Sequence, residues 1–399
     1  MKINEKRLLE NIENVGSIGR EADNGITRLA YSKEYKEASN ILKELMEASG
    51  LEVHIDGVGN IFGRRKGLQD DLPSIMVGSH LDTVKGGGLY DGNLGVNAAL
   101  EIINVLNESN YITKHPIEVV AFNAEEGNEM GGTFGSRVMS GLQDPNASWL
   151  DEKLLKYGMV KQDVKNSVRD MKTIKAFLEL HIEQGGSLYA KGLPIGVVNG
   201  IVGITRYNIV VTGETNHAGT TPMGLRIDAL TGAAKLIGII DSVSRSMGDP
   251  FVSTVGVLEV FPCFVNVIPG RVEMSLDMRD LDQSRIECAI KQIELLSKGI
   301  ENVGINLKFD ISKPPVKTDK NIVGIIEKVC QNKGLEYQVM PSGAGHDAKA
   351  TAEFIPTGMI FVPSIYGKSH CKEEDTEPID LVRGTEVLLD TLMEIDKNL

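Results

Sequence analysis

The sequence predicts an α/β fold: a mixed, mostly parallel sheet flanked by helices, interrupted by a smaller α+β module. Three observations predict it. First, short apolar runs that end in polar residues recur: SIMVGSH (74–80), IEVVAFNAEEG (117–127), KAFLELHIEQG (175–185) and GMIFVPS (358–364). Second, helical apolar spacing lies between such runs, as in NLGVNAALEIINVLN (93–107). Strands alternating with helices indicate a mostly parallel sheet. Third, residues 204–316 change character and read β-α-β-β-α-β, the order of a ferredoxin-like module. Apolar strands of the first type resume after Pro314, so this module is an insertion. The expected organisation is one domain over 1–203 and 317–399, with 204–316 plugged into it.

The elements follow in order. MKINEKRLLENIENVG is a polar amphipathic helix with no apolar core of a secretory signal. Residues 33–49 have helical spacing and stop at Gly50. LEVHIDGVGNIFGRR alternates and turns as a hairpin does. In the insertion, ITRYNIVVTGE, FVSTVGVLEV, GRVEMSLDMRD and INLKFDISK are strands, and LRIDALTGAAKLIGIIDSVSRS and QSRIECAIKQIELLSKGIEN are helices. No apolar run approaches the roughly 20 residues needed to span a bilayer.

With 399 residues, two domains are expected. A composition 41% hydrophobic and 24% charged is that of a globular protein. The net charge of -13 argues against a nucleic-acid partner, without excluding a small anionic substrate in a locally positive cleft. The four cysteines, Cys263, Cys288, Cys330 and Cys371, form no CxxC pair; a reducing, cytoplasmic compartment fits them.

The polar residues at the strand ends are the candidates for chemistry, because ligands of such sheets bind outside the carboxyl ends of strands. GSHLDTV (78–84) sets His80 at a strand end with Asp82 two residues on, a metal ligand with a carboxylate to orient its ring. A histidine in an ordinary polar turn looks the same. The glycines of KGGGLYDGNLG (85–95) lack the spacing of a phosphate loop and instead turn the backbone to present Asp91. Glu125 and Glu126 follow an apolar strand; at a metal site two acids divide the work, one coordinating and one moving protons. His181 ends another strand, and His370 lies in the polar loop GKSHCKEED (367–375). Three histidines and two carboxylates, without thiolates, suit Zn²⁺, Mn²⁺ or Co²⁺, and hold two ions if one carboxylate bridges. Cys371 has no nucleophile pattern around it, and His54 and His115 match no motif. Arg137 is placed to support the acidic loop.

GSHLDTV, YDGNLGV, AEEGNEMGGTFGSR, ELHIEQG, TNHAGTTPM, FVNVIPG, DMRD, SGAGHDA and SHCKEE occur in this order. Together they resemble the dinuclear metal amidohydrolases related to aminoacylases and carboxypeptidase G. The nearest branch holds N-carbamoyl-L-amino-acid hydrolase, allantoate amidohydrolase and β-ureidopropionase. The resemblance spans about residues 15–395. It implies a phosphorylase/hydrolase-like catalytic domain, an inserted dimerisation (lid) domain and a homodimer. It implies one ion on His80, Asp91 and His181 and a second on Asp91, Glu126 and His370, with Asp91 bridging. Glu125 is then the general base and Asp82 the orienter of His80. His217 is expected to reach a partner's active site and polarise the scissile carbonyl there, Asn266 and Arg279 to bind the substrate carboxylate, and Gln184, Gly345 and His346 to complete the pocket. His346 could instead orient its Gly-rich loop. Many peptidases of the family carry an acid where this chain has His181; the imidazole leaves the site one unit more positive.

The expected activity is hydrolysis of a ureido C–N bond, N-carbamoyl-L-amino acids first and allantoate second, then a dipeptidase or deacylase. The competing reading is a non-catalytic, metal-stabilised binding protein on the same fold. A decayed enzyme has little reason to keep Glu125 together with all five ligands.

Overall fold

The computed structural model describes residues 1–398. The chain forms two compact units, one of Met1–Asn199 with Lys317–Leu399 and one of Gly200–Val316.

In the first unit the sheet runs in the order Glu52–Ile55, Ile61–Arg65, Ile117–Phe122, Ser74–His80, Ile174–Ile182, Thr357–Val362, Ile195–Ile201 and Val316–Lys317, with Tyr337–Ser342 paired onto Ile195–Ile201. The four central strands are parallel to one another. Antiparallel pairings flank them: Ile61–Arg65 on one side, Ile195–Ile201 on the other. The fold is therefore mixed α/β, with parallel pairing concentrated in the centre.

The central strands are mostly apolar and, apart from half-buried Lys175, buried, as strands covered on both faces must be. One set of alternate residues, including Val77, Val119 and Leu178, packs under the helices Glu5–Gly16, Lys33–Ala48, Asn93–Glu108, Lys320–Lys333 and Pro378–Asn398. On the other face the short helix Asp347–Thr351 packs against Ile174–Ile182 and Thr357–Val362. The helix Lys33–Ala48 begins on Ser32, whose side chain accepts from the Tyr35 N–H. Glu52–Ile55 and Ile61–Arg65 pair antiparallel, as the alternating pattern requires. Arg137 donates to the carbonyls of Gly132 and Met130, bracing the loop after Glu126.

The second unit keeps the expected alternation of strands and two helices, but the run FVSTVGVLEV is split into Val252–Thr254 and Leu258–Phe261, so four strands, Val267–Ile268 and Arg271–Asp280 included, lie between the helices. Its antiparallel sheet runs Leu258–Phe261, Arg271–Asp280, Gly203–Thr212, Gly304–Lys313, and Val252–Thr254 also pairs with Arg271–Asp280. The helices Ala229–Met247 and Gln283–Ser297 bury Leu236, Ile240, Ile286 and Ile293 against Ile209, Val211, Leu276 and Met278. A small ribbon pairs Asn216–His217 with Val267–Ile268.

Candidate metal centre

The four parallel strands deliver their carboxyl ends to one place. His80 closes Ser74–His80, Glu125 and Glu126 follow Ile117–Phe122, His181 sits near the end of Ile174–Ile182, and His370 follows Thr357–Val362. Asp91 comes from the loop before the helix Asn93–Glu108 and stands at the centre.

The two oxygens of Asp91 serve two groups. Asp91 Oδ1 lies 3.2 Å from His80 Nε2 and 3.2 Å from His181 Nε2. Asp91 Oδ2 lies 3.4 Å from His370 Nε2, which is itself 3.2 Å from Glu126 Oε2. His80–Asp91–His181 and Asp91–Glu126–His370 thus each bring three donor atoms together. A metal with ligands at about 2.0–2.1 Å in tetrahedral array separates its donors by about 3.3 Å. The observed spacings match that edge.

The hydrogen bonding agrees. His80 Nδ1 lies 3.0 Å from the Asp82 carbonyl and His181 Nδ1 lies 2.9 Å from the Ile182 carbonyl. A carbonyl only accepts, so Nδ1 of each ring carries its proton and Nε2 turns toward Asp91. Asp91 Oδ1 and Glu126 Oε1 are buried with no hydrogen-bond donor. Buried carboxylate oxygens so left call for a cation beside them, a proton or a metal. The residues present fit divalent ions.

The titration shifts express the same demand. Burial works against a charged His80 and His181, but contact with Asp91 outweighs it and both are raised, His80 well above its usual range. His370 is pushed up to about 11 by its hydrogen bonds to Asp91 and Glu126. Burial would raise Asp91, yet His181, His370 and His80 hold it well below the usual carboxylate range. Glu125 goes well above that range, first through burial, with Glu126, Asp347 and Asp82 adding to it. Glu126 rises by burial and the field of Asp91.

Asp82 acts differently from the sequence expectation. Its main-chain carbonyl orients His80, while its carboxylate stands 3.9 Å from that ring. Asp82 Oδ1 and Oδ2 instead accept from the N–H groups of Glu125 and Glu126, both at 3.1 Å. The carboxylate caps the acidic turn because that turn leaves two buried N–H groups in need of acceptors.

Gln184 is held at φ +60 and donates from Nε2 to Asp91 Oδ2 at 2.7 Å, so its amide meets the cluster directly. His346 is buried; its Nε2 faces Ser342 Oγ at 2.8 Å and its ring meets His181 edge-on at 4.5 Å. That placement ties the ring to its loop and to His181. Gly345 is exposed with open space around it.

His217, Asn266 and Arg279 belong to the second unit. The ribbon brings the first two together, with the Ala218 N–H on the Asn266 carbonyl at 3.0 Å. His217 Nδ1 accepts from the N–H groups of Gly219 and Thr220 at 3.0 and 3.2 Å, which leaves Nε2 as the outward donor of an exposed ring. Arg279 Nε donates to Asp277 Oδ1 at 2.8 Å.

Four further residues support the cluster, Arg28, Glu179 and Glu374 buried and Ser369 partly so, and the sequence assigns none of them a role. Glu179 accepts from Ser79 Oγ and the Ala348 N–H. Glu374 and Ser369 contact the Asp91 loop. Arg28 donates to the carbonyls of Leu81, Gly16 and Ile18 behind the His80 loop. Glu179, Glu374 and Ser369 lie inside ELHIEQG and SHCKEE, but their contacts to Ser79, Tyr90 and Asp91 cross 100 or more positions, so the motif does not state the contact.

Fold and site together define a hydrolase whose donor cluster sits at the carboxyl edge of a parallel sheet. The model of the peptidase family M20/M25/M40 matches residues 74–394, and the chain belongs to that family. It is a hydrolase of carbon–nitrogen bonds. It is 39% identical over 408 residues to an N-carbamoyl-L-amino-acid amidohydrolase of Pseudomonas sp., covering 98% of each chain. It is 38% identical over 388 residues to an allantoate amidohydrolase of Escherichia coli, covering 94% of each. A crystal structure of an amidase of the hydantoinase/carbamoylase family from Burkholderia multivorans superposes with a TM-score of 0.91 at 32% identity, over 99% of this chain and 98% of that one.

Proposed function

We propose that this protein hydrolyses the ureido C–N bond of an N-carbamoyl-L-amino acid, yielding the L-amino acid, carbon dioxide and ammonia. The observation that carries the reading is Asp91, one of whose oxygens faces His80 and His181 and the other His370, itself paired with Glu126, with the buried Glu125 nearby. The relative from Pseudomonas supports the substrate class. Allantoate is the second reading, favoured by the relative from Escherichia coli.

His80, Asp91 and His181 would hold one divalent ion, and Asp91, Glu126 and His370 a second, with Zn²⁺, Mn²⁺ or Co²⁺ suited to nitrogen and oxygen donors. Bound there, such ions polarise a carbonyl and acidify water. Glu125 takes the proton of the attacking water and returns it to the leaving nitrogen; a carboxyl raised above its usual range by burial suits a group that must hold a proton as well as take one. Asp82 fixes Glu125 and Glu126 through their main-chain N–H groups. Gln184 presents its amide to the substrate side of Asp91.

The second unit serves as the lid and dimerisation module of a homodimer. From it, His217 reaches the active site of the partner subunit, where its Nε2–H donates to the scissile carbonyl oxygen, and Asn266 and Arg279 take the substrate carboxylate, Arg279 through its planar fork. Closure of the lid excludes water. The protein works in the cytoplasm, without a nucleic-acid or membrane partner. Among the described residues, no helix is long and apolar enough to cross a membrane.

Ammonia release by metal-stripped protein, with Mn²⁺, Zn²⁺ or Co²⁺ added back, tests this. The panel is several N-carbamoyl-L-amino acids, N-carbamoyl-β-alanine, allantoate and one dipeptide. Metal-dependent turnover of N-carbamoyl-L-amino acids is expected. Cleavage of the dipeptide alone would sink the ureido reading, and turnover of allantoate alone would select the second.

A further inference from the structure

One buried carboxylate, Glu374, ties the loop that carries His370 to the loop that carries Asp91. Its Oε1 accepts from the main-chain N–H of Tyr90 at 2.9 Å and of Asp91 at 3.1 Å. Its Oε2 lies 2.9 Å from Ser369 Oγ, and Ser369 Oγ lies 3.1 Å from Asp91 Oδ2. The contacts close a ring: Asp91 main chain, Glu374, Ser369, Asp91 carboxylate. Ser369 adjoins His370, so the ring sets both partners of the second donor group.

The surrounding chain is shaped for this approach. A Cβ on Gly88 would stand 2.2 Å from the Glu374 carboxyl, so the third glycine of the GGG run leaves the space that Glu374 fills. The His370 loop is pinned at its base, where the Ile365 N–H donates to the Asp375 carbonyl at 2.9 Å and Thr376 Oγ1 to the Pro363 carbonyl at 3.0 Å. His370 itself is held at φ +56.

We propose that Glu374 is a positioning residue for the ion of Asp91, Glu126 and His370. It fixes Asp91 Oδ2 and His370 relative to each other and touches no substrate. The inference rests on the two-ion reading above. Its effect is one-sided for a structural reason. His80 and His181, the partners of Asp91 Oδ1, stand on strands that the sheet itself fixes. Glu126 and His370, the partners on the Oδ2 side, stand on loops. Losing an outer partner of a ligand weakens metal binding about 10–100-fold, and here the loss falls on one ion of two.

The test compares wild type with Glu374→Ala, Glu374→Gln and Ser369→Ala. Each is stripped, titrated with Mn²⁺ by calorimetry, and counted for bound metal after dialysis; melting of the metal-free forms checks folding. Wild type is expected to bind two ions. Glu374→Ala should keep the tighter ion and bind the other about 10–100-fold more weakly. Glu374→Gln should bind nearly as wild type, because its amide oxygen still accepts from Tyr90 and Asp91 while its NH₂ donates to Ser369 Oγ. Ser369→Ala should weaken the same ion as Glu374→Ala, and it carries the test if that variant fails to fold. Unchanged binding in Glu374→Ala and Ser369→Ala overturns the proposal, as does equal weakening of both ions. Glu374→Gln behaving like Glu374→Ala also overturns it, because charge and not hydrogen bonding would then be responsible. A wild type that binds a single ion overturns the two-ion reading itself, and this inference with it.

Discussion

Glu125 and the three imidazoles stand in one pocket but meet different needs. Burial keeps Glu125 above the usual carboxylate range, whereas the three imidazoles are raised, against the pull of burial, by the carboxylates they face. Replacing Glu125 by Gln should leave the metal content unchanged while lowering turnover about 10²–10⁴-fold, the range for a lost general acid–base. Loss of metal in that variant would move Glu125 into the ligand set. The imidazoles give a pH test with two opposite signs. Hydrogen bonds to Asp91 and Glu126 push His370 from the ordinary imidazole value of 6.5 up to about 11. Its pairing therefore stabilises the metal-free fold fully below the lower value and is lost as pH rises through the upper one. Metal must displace that proton, so apparent affinity rises with pH. Between pH 6.5 and 9 the metal-free protein should lose melting temperature while the affinity for Mn²⁺ increases. An affinity independent of pH would show that the imidazoles do not bind the ion.

At the scale of elements, short turns at strand ends place the ligands. Gly92 is one such point, with φ +65 and the His80 ring 2.5 Å from where its Cβ would lie. Its N–H also reaches His181 Nε2 at 3.2 Å. Gly92→Ala combines backbone strain with a collision against a ligand; overpacking of this kind costs about 1–3 kcal/mol. Weaker binding at His80–Asp91–His181, read by metal titration, should accompany it. The turn of Glu125 and Glu126 is capped from another element by Asp82. Asp82→Ala strands two main-chain donors, at about 1–3 kcal/mol for each buried group left unsatisfied. Thermal melting should show that loss, and turnover should fall with it. A variant of unchanged stability and activity would contradict the capping role.

At the scale of the molecule, every member of the two donor groups lies in the first unit, although they come from segments spread between residues 80 and 370. The second unit has a core of its own. Truncation there, Leu276→Ala, should cost about 2–5 kcal/mol of stability and leave metal stoichiometry unaltered. Loss of bound metal in that variant would show that the second unit shapes the donor groups. Metal should stabilise the whole chain by mass action, about 2.7 kcal/mol at free metal 100-fold above its dissociation constant. A chelator should reverse the shift in calorimetry. A melting profile indifferent to chelator would argue against a resident ion.

The sequence alone determined the central strands and the residues at their ends. Period and length mark an apolar strand locally, and a strand's polar terminus is where this class of sheet presents its chemistry. His80, Asp91, Glu126, His181 and His370 were legible for that reason, helped by motifs in a familiar order. The tertiary structure alone decided how those residues pair. That Asp91 gives one oxygen to His80 and His181 and the other to His370 depends on strand order and loop closure, which no local pattern encodes. The same holds for the Asp82 carboxylate, which turned from His80 to the N–H groups of Glu125 and Glu126, and for His346, buried beneath His181. Glu374 is the plainest case. In SHCKEED it is one acid among three, and only the fold, by bringing it 2.9 Å from the Tyr90 N–H across 284 positions of chain, gives it a task.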